Sequence, residues 1–137
     1  MQLNPKKTKY RKYFKPRLLP KNSTKIQKLS ELNCFVLISM QSGYLNEQQI
    51  EAARQNIRRK LKREGKLEIP ILTDKPISQK PIAARMGKGK GKTSHWVASI
   101  AAGKALFLLY GIGRELGIPA LKSGANKLPV KVRIYEL

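Results

Sequence analysis

The stretch NEQQIEAARQNIRRKLKREG, residues 46–65, carries the clearest structural signals in the chain and predicts a long helix. Asn46 is a favourable N-cap residue, and Gln49 at the third helical position completes a capping-box pattern. Apolar residues at spacings of three and four form one stripe that should face a core: Ile50, Ala53, Ile57 and Leu61. Gly65 is expected to end the helix.

Cations on the same helix predict a binding surface. Three of them follow at intervals of four residues and two lie beside them: Arg54, Arg58 and Lys62, with Arg59 and Arg63 adjacent. Like charges at this spacing destabilise an isolated helix. Because solubility alone does not require so many, we interpret the row as a surface for nucleic-acid phosphates rather than as a solvated face.

The stretch RMGKGKGKT, residues 85–93, predicts a loop. Glycine alternates with lysine, so the backbone has no side-chain bulk at every second position. Glycine permits positive φ and close approach of other atoms, and each lysine adds a mobile ammonium group. Such a segment packs no core, and we expect it to contact nucleic-acid phosphates. A flexible basic loop in solvent is the alternative.

The end of this loop, Gly91-Lys92-Thr93, resembles the end of an NTP-binding P-loop. That motif requires four residues between its glycines, whereas three separate Gly87 from Gly91. A P-loop also leads into a helix, and residues 94–97 predict a strand. A nucleotide-dependent RNA-binding enzyme that uses residues 87–93 is kept as the alternative function.

Net charge is the dominant feature of the composition. The 137 residues contain 29 Lys and Arg against 8 Asp and Glu, a net charge of +21. Repulsion of this size opposes compaction, so a polyanionic partner should complete the stable state. A free-standing DNA-compacting protein is a further rival. No apolar run approaches the roughly 20 residues that cross a bilayer, and no membrane partner is expected.

The residues that most enzymes and metal sites need are scarce. Cys34 is the single cysteine and His95 the single histidine, which excludes an internal disulfide and leaves too few ligands for a cysteine-based zinc site. We expect Cys34 to be a buried apolar residue, and His95 to pack or to lie at an RNA edge. We therefore predict a protein that is not an enzyme, with no metal and no cofactor.

Residues 1–32 predict a basic extended tail, ahead of a single α+β RNA-binding domain at 33–137. The first 30 residues hold ten cations and no acid, and three prolines oppose a continuous helix. Tyr10, Tyr13 and Phe14 are suited to stacking on unpaired bases. The tail cations predicted to bind RNA phosphates are Lys6, Lys7, Lys9, Arg11 and Lys12. A disordered basic tail and a targeting peptide are the alternatives.

Alternating apolar residues and turn signals predict the other elements. Strands are expected at 33–41, 66–72 and 130–135, and a hairpin at 94–110 that turns at Ala102-Gly103. A second helix is expected at about 118–127, with Pro119 at its first position. Residues 74–92 form a long connection, a length that is usually functional.

Several motifs in order resemble one known family. They are Gln49-Ile50-Glu51-Ala52-Ala53-Arg54, Asp74-Lys75-Pro76-Ile77, Lys80-Pro81, Arg85-Met86-Gly87-Lys88-Gly89-Lys90-Gly91, Trp96-Val97 and Lys127-Leu128-Pro129. The pattern runs from residue 43 to about residue 134 and is similar to the large-subunit ribosomal protein numbered sixteen in bacteria. The family also includes the archaeal and eukaryotic large-subunit protein ten-e.

That resemblance implies an α+β fold, with an antiparallel sheet packed by two helices, a long basic loop and a basic N-terminal extension. It implies binding to large-subunit rRNA beneath the central protuberance, with Lys75 and Lys80 among the contacts, and neighbouring large-subunit ribosomal proteins as partners. No homo-oligomer is expected. The family's loop points toward the aminoacyl-site tRNA and the peptidyl-transferase region. In this chain it comprises Arg85, Met86, Gly87, Lys88, Gly89, Lys90, Gly91 and Lys92.

The chain also departs from the family pattern. Residues 13–42 lack the usual glycine-rich pattern, and Gly117 and Pro119 fall within the family's second helix, so we expect that helix to start late or to kink. The excess of Lys over Arg and the many Ile residues favour an AT-rich genome. We predict a mitochondrial ribosome, in the matrix, with a plastid or a bacterial cytoplasm as alternatives.

Overall fold

Seven strands and two helices run through the part of the chain that the computed structural model describes, residues 5, 7–14, 34–62 and 64–137. In chain order they are β1 (Cys34–Ser39), β2 (Gly43–Asn46), α1 (Glu47–Lys60), β3 (Lys66–Glu68), β4 (Lys75–Gln79), β5 (Lys92–Ile100), β6 (Ala105–Tyr110), α2 (Arg114–Ala125) and β7 (Val132–Glu136).

The strands form two antiparallel sheets, one ordered β3-β6-β1-β7 and the other β2-β5-β4. Every residue of β1 is buried, because its apolar side chains occupy both faces of the four-stranded sheet. Phe35 and Leu37 join the main core with α1 and α2, whereas Cys34, Val36 and Ile38 form a second cluster. Burial raises the pKa of the Cys34 thiol. The predicted α+β class is confirmed.

Helix α1 begins as the sequence predicts. The Asn46 backbone N–H donates to Gln49 Oε1 at 3.0 Å within a capping box. The predicted apolar stripe is fully buried. The predicted end at Gly65 is wrong: the helix stops at Lys60, because Lys62 already has a φ of 47°.

Helix α2 begins four residues earlier than predicted, at Arg114, so Pro119 lies inside it and not at its first position. Pro119 is exposed, and water can bond the carbonyl that its missing N–H leaves unpaired. The buried residues of α2 are Gly117, Ala120, Leu121 and Gly124, three of which are small. A Cβ added to Gly124 would lie 2.5 Å from Ile57 of α1, so the two helices pack at close range.

The hairpin predicted for residues 94–110 is wrong. Strand β5 pairs with β2 and β4, whereas β6 pairs with β1 and β3 in the other sheet. The turn between β5 and β6 therefore connects the three-stranded sheet to the four-stranded sheet. Gly103, with a φ of 90°, donates its N–H to the Ser39 carbonyl at 2.6 Å, and the Ala102 N–H donates to Ser42 Oγ at 3.1 Å.

The long connection predicted for residues 74–92 is partly a strand. Strands β4 and β5 pair from Lys75↔Val97 to Gln79↔Lys92, which leaves residues 80–91 as the loop of a β-hairpin. A Cβ on Gly91 would lie 2.5 Å from the Gln79 carbonyl oxygen, so glycine is needed where the loop closes. The strand predicted for residues 66–72 is likewise shortened to β3.

Candidate nucleic-acid interface

The loop that the β4–β5 hairpin presents is exposed throughout residues 80–90. Gly87, Lys88 and Gly89 have φ values of 97°, 53° and 80°, so three consecutive residues in the left-handed region turn the backbone at its tip. A Cβ on Gly87 or Gly89 would meet nothing within 4 Å. Glycine is therefore favoured at the tip by backbone conformation and at Gly91 by crowding.

Lys80 makes a hydrogen bond across the loop. Its Nζ donates to the Gly87 carbonyl at 2.6 Å and so connects the first residue of the loop to the tip. An ammonium group has three donors, and this bond leaves two for other acceptors. The predicted RNA-binding residue Lys80 therefore also shapes the loop.

Residues 11–13 of the N-terminal segment are bonded to the end of the loop and the start of β5. Lys12 Nζ donates to the Lys90 carbonyl at 2.8 Å, and Lys90 Nζ donates in return to the Tyr13 carbonyl. Thr93 Oγ1 donates to the Arg11 carbonyl at 3.2 Å. This junction is not predicted by the sequence, because no local pattern connects residues so far apart.

The N-terminal segment and the loop together form one cationic surface, which we call the loop surface. Its two ranges, 7–14 and 80–92, contain no acidic residue. Its cations are Lys7, Lys9, Arg11, Lys12, Lys80, Arg85, Lys88, Lys90 and Lys92. Between them, Met86 at 100% and Ile82 at 104% exposure present apolar side chains to solvent. The surface is suited to a polyanion that also offers flat apolar groups.

The second cationic surface, the α1 surface, lines a shallow concavity formed by Arg54, Gln55, Arg58, Arg59 and Lys62. The described members of the predicted row therefore lie along one side of α1 and in the turn that follows it, and all of them except Arg54 are exposed. Lys6 and Arg63, also predicted to bind RNA, lie outside the described residues. Lys75 is half-buried at the start of β4, where it pairs with Val97.

Arg54 differs from the rest of its row because it is paired within the helix. Its Nη2 lies 2.6 Å from Glu51 Oε1, and its Nε donates to Glu51 Oε2 at 2.9 Å. This bidentate bond lowers the pKa of Glu51 from 4.5 to about 2 and raises that of Arg54. Part of the positive charge of the α1 surface is thus neutralised by the protein itself.

Other site chemistry is not found in the described residues. They contain no group of three or more His, Cys, Asp or Glu that could hold a metal ion, and no helix there is long and apolar enough to cross a membrane. His95 is exposed, with its Nδ1 3.4 Å from Ser94 Oγ. The P-loop-like segment leads into strand β5 and not into a helix.

An α+β scaffold with two cationic surfaces, one on a helix and one on a glycine-rich hairpin, is typical of proteins that bind nucleic acids. Comparison with known proteins agrees. The family described as ribosomal protein L16p/L10e matches residues 5–135. The chain therefore belongs to the ribosomal protein L16p/L10e family, and the resemblance read from its motifs is confirmed.

Relatives match over nearly the whole chain. The large ribosomal subunit protein uL16 of Blochmanniella pennsylvanica is 46% identical over 134 residues, which cover 98% of each chain. The proteins of the same name from Psychrobacter arcticus and Treponema pallidum are 44% and 40% identical, over 98% and 99% of this chain and 96% of their own.

The chain is thus a ribosomal protein of the large subunit, a component of translation, and not an enzyme. Membership of the family implies assembly with rRNA and with other ribosomal proteins. The nucleotide-dependent enzyme is wrong as an alternative, since the relatives are structural ribosomal proteins.

Proposed function

We propose that the chain binds large-subunit rRNA through the α1 surface and the loop surface, and directs residues 80–91 toward the aminoacyl-site tRNA and the peptidyl-transferase region. The observation that carries this proposal is the exposed β4–β5 hairpin, whose residues 80–92 include five cations and no acid. Residues 80–90 of this hairpin are exposed throughout, so their cations are accessible to RNA.

The α1 surface supplies the anchoring contacts in this proposal. Arg58 and Arg59 are exposed on a helix whose opposite stripe is fully buried, and Lys62 is exposed in the turn that follows the helix. A rigid support lowers the entropy cost of holding three cations against fixed phosphates. The domain formed by residues 33–137 would then dock by this surface. Most of the predicted basic tail, residues 1–32, lies outside the described residues.

Arg85 is the loop residue to which we assign the tRNA-proximal role. It is exposed near the tip, beside the fully exposed Met86. A guanidinium forms two parallel hydrogen bonds with a phosphate or stacks on a base, and an ammonium does neither. The motif resemblance implies that Arg85 corresponds to the arginine of the family's loop.

Purified ribosomes that carry Arg85→Lys test this assignment. Charge is conserved, so subunit assembly should stay near normal, whereas aminoacyl-tRNA accommodation or peptide-bond formation should fall about tenfold, as expected for loss of one bidentate contact. Arg114→Lys, the same change in an exposed residue paired with Glu136, is the matched control. Wild-type rates in the Arg85→Lys ribosomes would show that the loop only supports rRNA.

The compartment is a separate proposal. The Lys-rich and Ile-rich composition supports an AT-rich genome and a mitochondrial ribosome. The relatives named above are bacterial, so the bacterial cytoplasm and the plastid are the alternatives. The codon usage and genetic code of the encoding DNA distinguish the three.

A further inference from the structure

Phe14 is a large apolar side chain with no evident role in folding, since 94% of its surface is exposed. A single exposed apolar residue is ordinary on a protein surface. This one differs because Lys90 Nζ lies over its ring, 5.4 Å from the centroid. The ring therefore stands beside a cation of the loop, and most of its surface remains in solvent.

The backbone next to Phe14 is held in place by the loop. Lys90 donates to the Tyr13 carbonyl and Thr93 donates to the Arg11 carbonyl at 3.2 Å, so hydrogen bonds lie on the chain just before the ring. Tyr10 and Tyr13 pack edge to face with centroids 6.1 Å apart, and Lys9 lies over Tyr10 at 5.5 Å. The residues that precede Phe14 are therefore held in a defined conformation.

An aromatic ring flanked by cations recognises a partner with flat rings and regularly spaced negative charge. Unpaired RNA has both, because its bases expose their faces and its phosphates follow the backbone. Bases inside a duplex are already stacked on each other and do not offer a face to a side chain. An acidic peptide offers charge but no regular series of rings.

We propose that Phe14 is a stacking site for an unpaired RNA base, and that Lys90 positions its ring while Lys12 and Arg11 neutralise the adjoining phosphates. The inference rests on the proposed rRNA-binding function and deepens it. In this proposal the N-terminal segment recognises single-stranded RNA by stacking, and the adjacent loop binds phosphates through its cations.

The test measures binding of the full-length chain to a single-stranded oligoadenylate and to an RNA duplex with the same number of phosphates. Phe14→Leu keeps an apolar side chain but removes the π face. We expect it to lower affinity for the single strand about tenfold, the loss typical of one stacked base, with duplex affinity and salt slope unchanged. Lys90→Gln should weaken both complexes and reduce the salt slope by about one.

Two variants separate stacking from general damage. Phe14→Trp restores a π face and should bind the single strand at least as well as wild type. Leu116→Ala removes an exposed apolar side chain from α2 and should bind as wild type. Circular dichroism establishes that each variant is folded.

The inference is overturned if Phe14→Leu binds the single strand as well as wild type, or if it loses single-strand and duplex affinity equally. It is also overturned if polyglutamate binding falls by the same factor, since the ring would then serve an acidic protein. Failure of the proposed function gives a different result: the wild-type chain would show no preference for large-subunit rRNA and would not enter large subunits.

Discussion

The α1 surface and the loop surface carry the same kind of charge on opposite kinds of support. The α1 cations extend from a capped helix whose other side is buried in the core, and one of them is neutralised by Glu51. The loop surface has no acid in its two ranges, and its tip turns through three residues of positive φ. The first surface is built by folding, whereas the second depends on contacts made outside the core.

This contrast suggests a division of work. Cations on a helix packed against the core lose little entropy on binding and give affinity, whereas cations on an exposed loop lose more entropy and give lower affinity per contact. We expect the α1 surface to determine how strongly the chain binds rRNA. The loop surface should determine what happens at the site that the loop reaches.

The largest effect is expected when cations of the α1 surface are removed and rRNA affinity is measured. Neutralising Arg58, Arg59 and Lys62 together to Gln should lower affinity for large-subunit rRNA about a hundredfold at low salt, and reduce the slope of log K against log salt by about three. Gln keeps good helix propensity at Arg58 and Arg59, and it avoids placing acids near the helix C-terminus. Filter binding over a salt series measures both quantities, and far-UV circular dichroism should be unchanged.

The matched control for that variant neutralises three cations elsewhere, Lys104, Lys122 and Lys127. If this control loses as much affinity and slope as the α1 variant, binding depends on net charge alone and the distinction between the surfaces fails.

A smaller effect, on stability, is expected from substitutions at the base and at the tip of the β4–β5 loop. Gly91→Ala should destabilise the isolated chain by about 1–3 kcal/mol, because the new methyl group would lie 2.5 Å from the Gln79 carbonyl oxygen and force the strand ends apart. Met86→Ala, at the exposed tip, should change stability by less than about 0.5 kcal/mol. Urea unfolding measures both variants. Equal effects would mean that the base and the tip of the loop are equally tolerant.

The smallest effect concerns Glu51 and its pair with Arg54. Because folding lowers the Glu51 pKa from 4.5 to about 2, the pair stabilises the folded chain above pH 4.5, and this contribution is lost as the pH falls toward 2. Glu51→Gln should therefore cost less than about 1 kcal/mol near neutral pH, with the difference from wild type disappearing in acid.

The same variant should bind rRNA a few-fold more tightly, because it releases Arg54 and removes a negative charge from the α1 surface. Glu115→Gln, which removes an acid from the first turn of α2, is the control. Tighter binding in both variants to the same degree would show that only the overall charge matters.

The parts of the fold that the sequence predicted are those whose signals are local. The capping box and the apolar stripe of α1 lie within one segment, and so do the apolar run of β1 and the glycine–lysine pattern of the loop. The early start of α2 was missed, because Pro119 suggests a later beginning while the close packing of Gly124 on Ile57 is a tertiary contact. The hairpin predicted at residues 94–110 failed because adjacency in sequence does not determine which sheet a strand joins.

The sequence by itself determined the chemistry of this protein: the charge of +21, the single cysteine and single histidine, and the cations carried by one helix and one loop. These are properties of residue type and short spacing. Only the tertiary structure decided that Arg54 is paired, that residues 75–79 form a strand of the loop's stem, and that Lys12 bonds to Lys90 across 78 residues of sequence. The physical reason is that such contacts form only when the core brings distant segments together, and no local pattern records them.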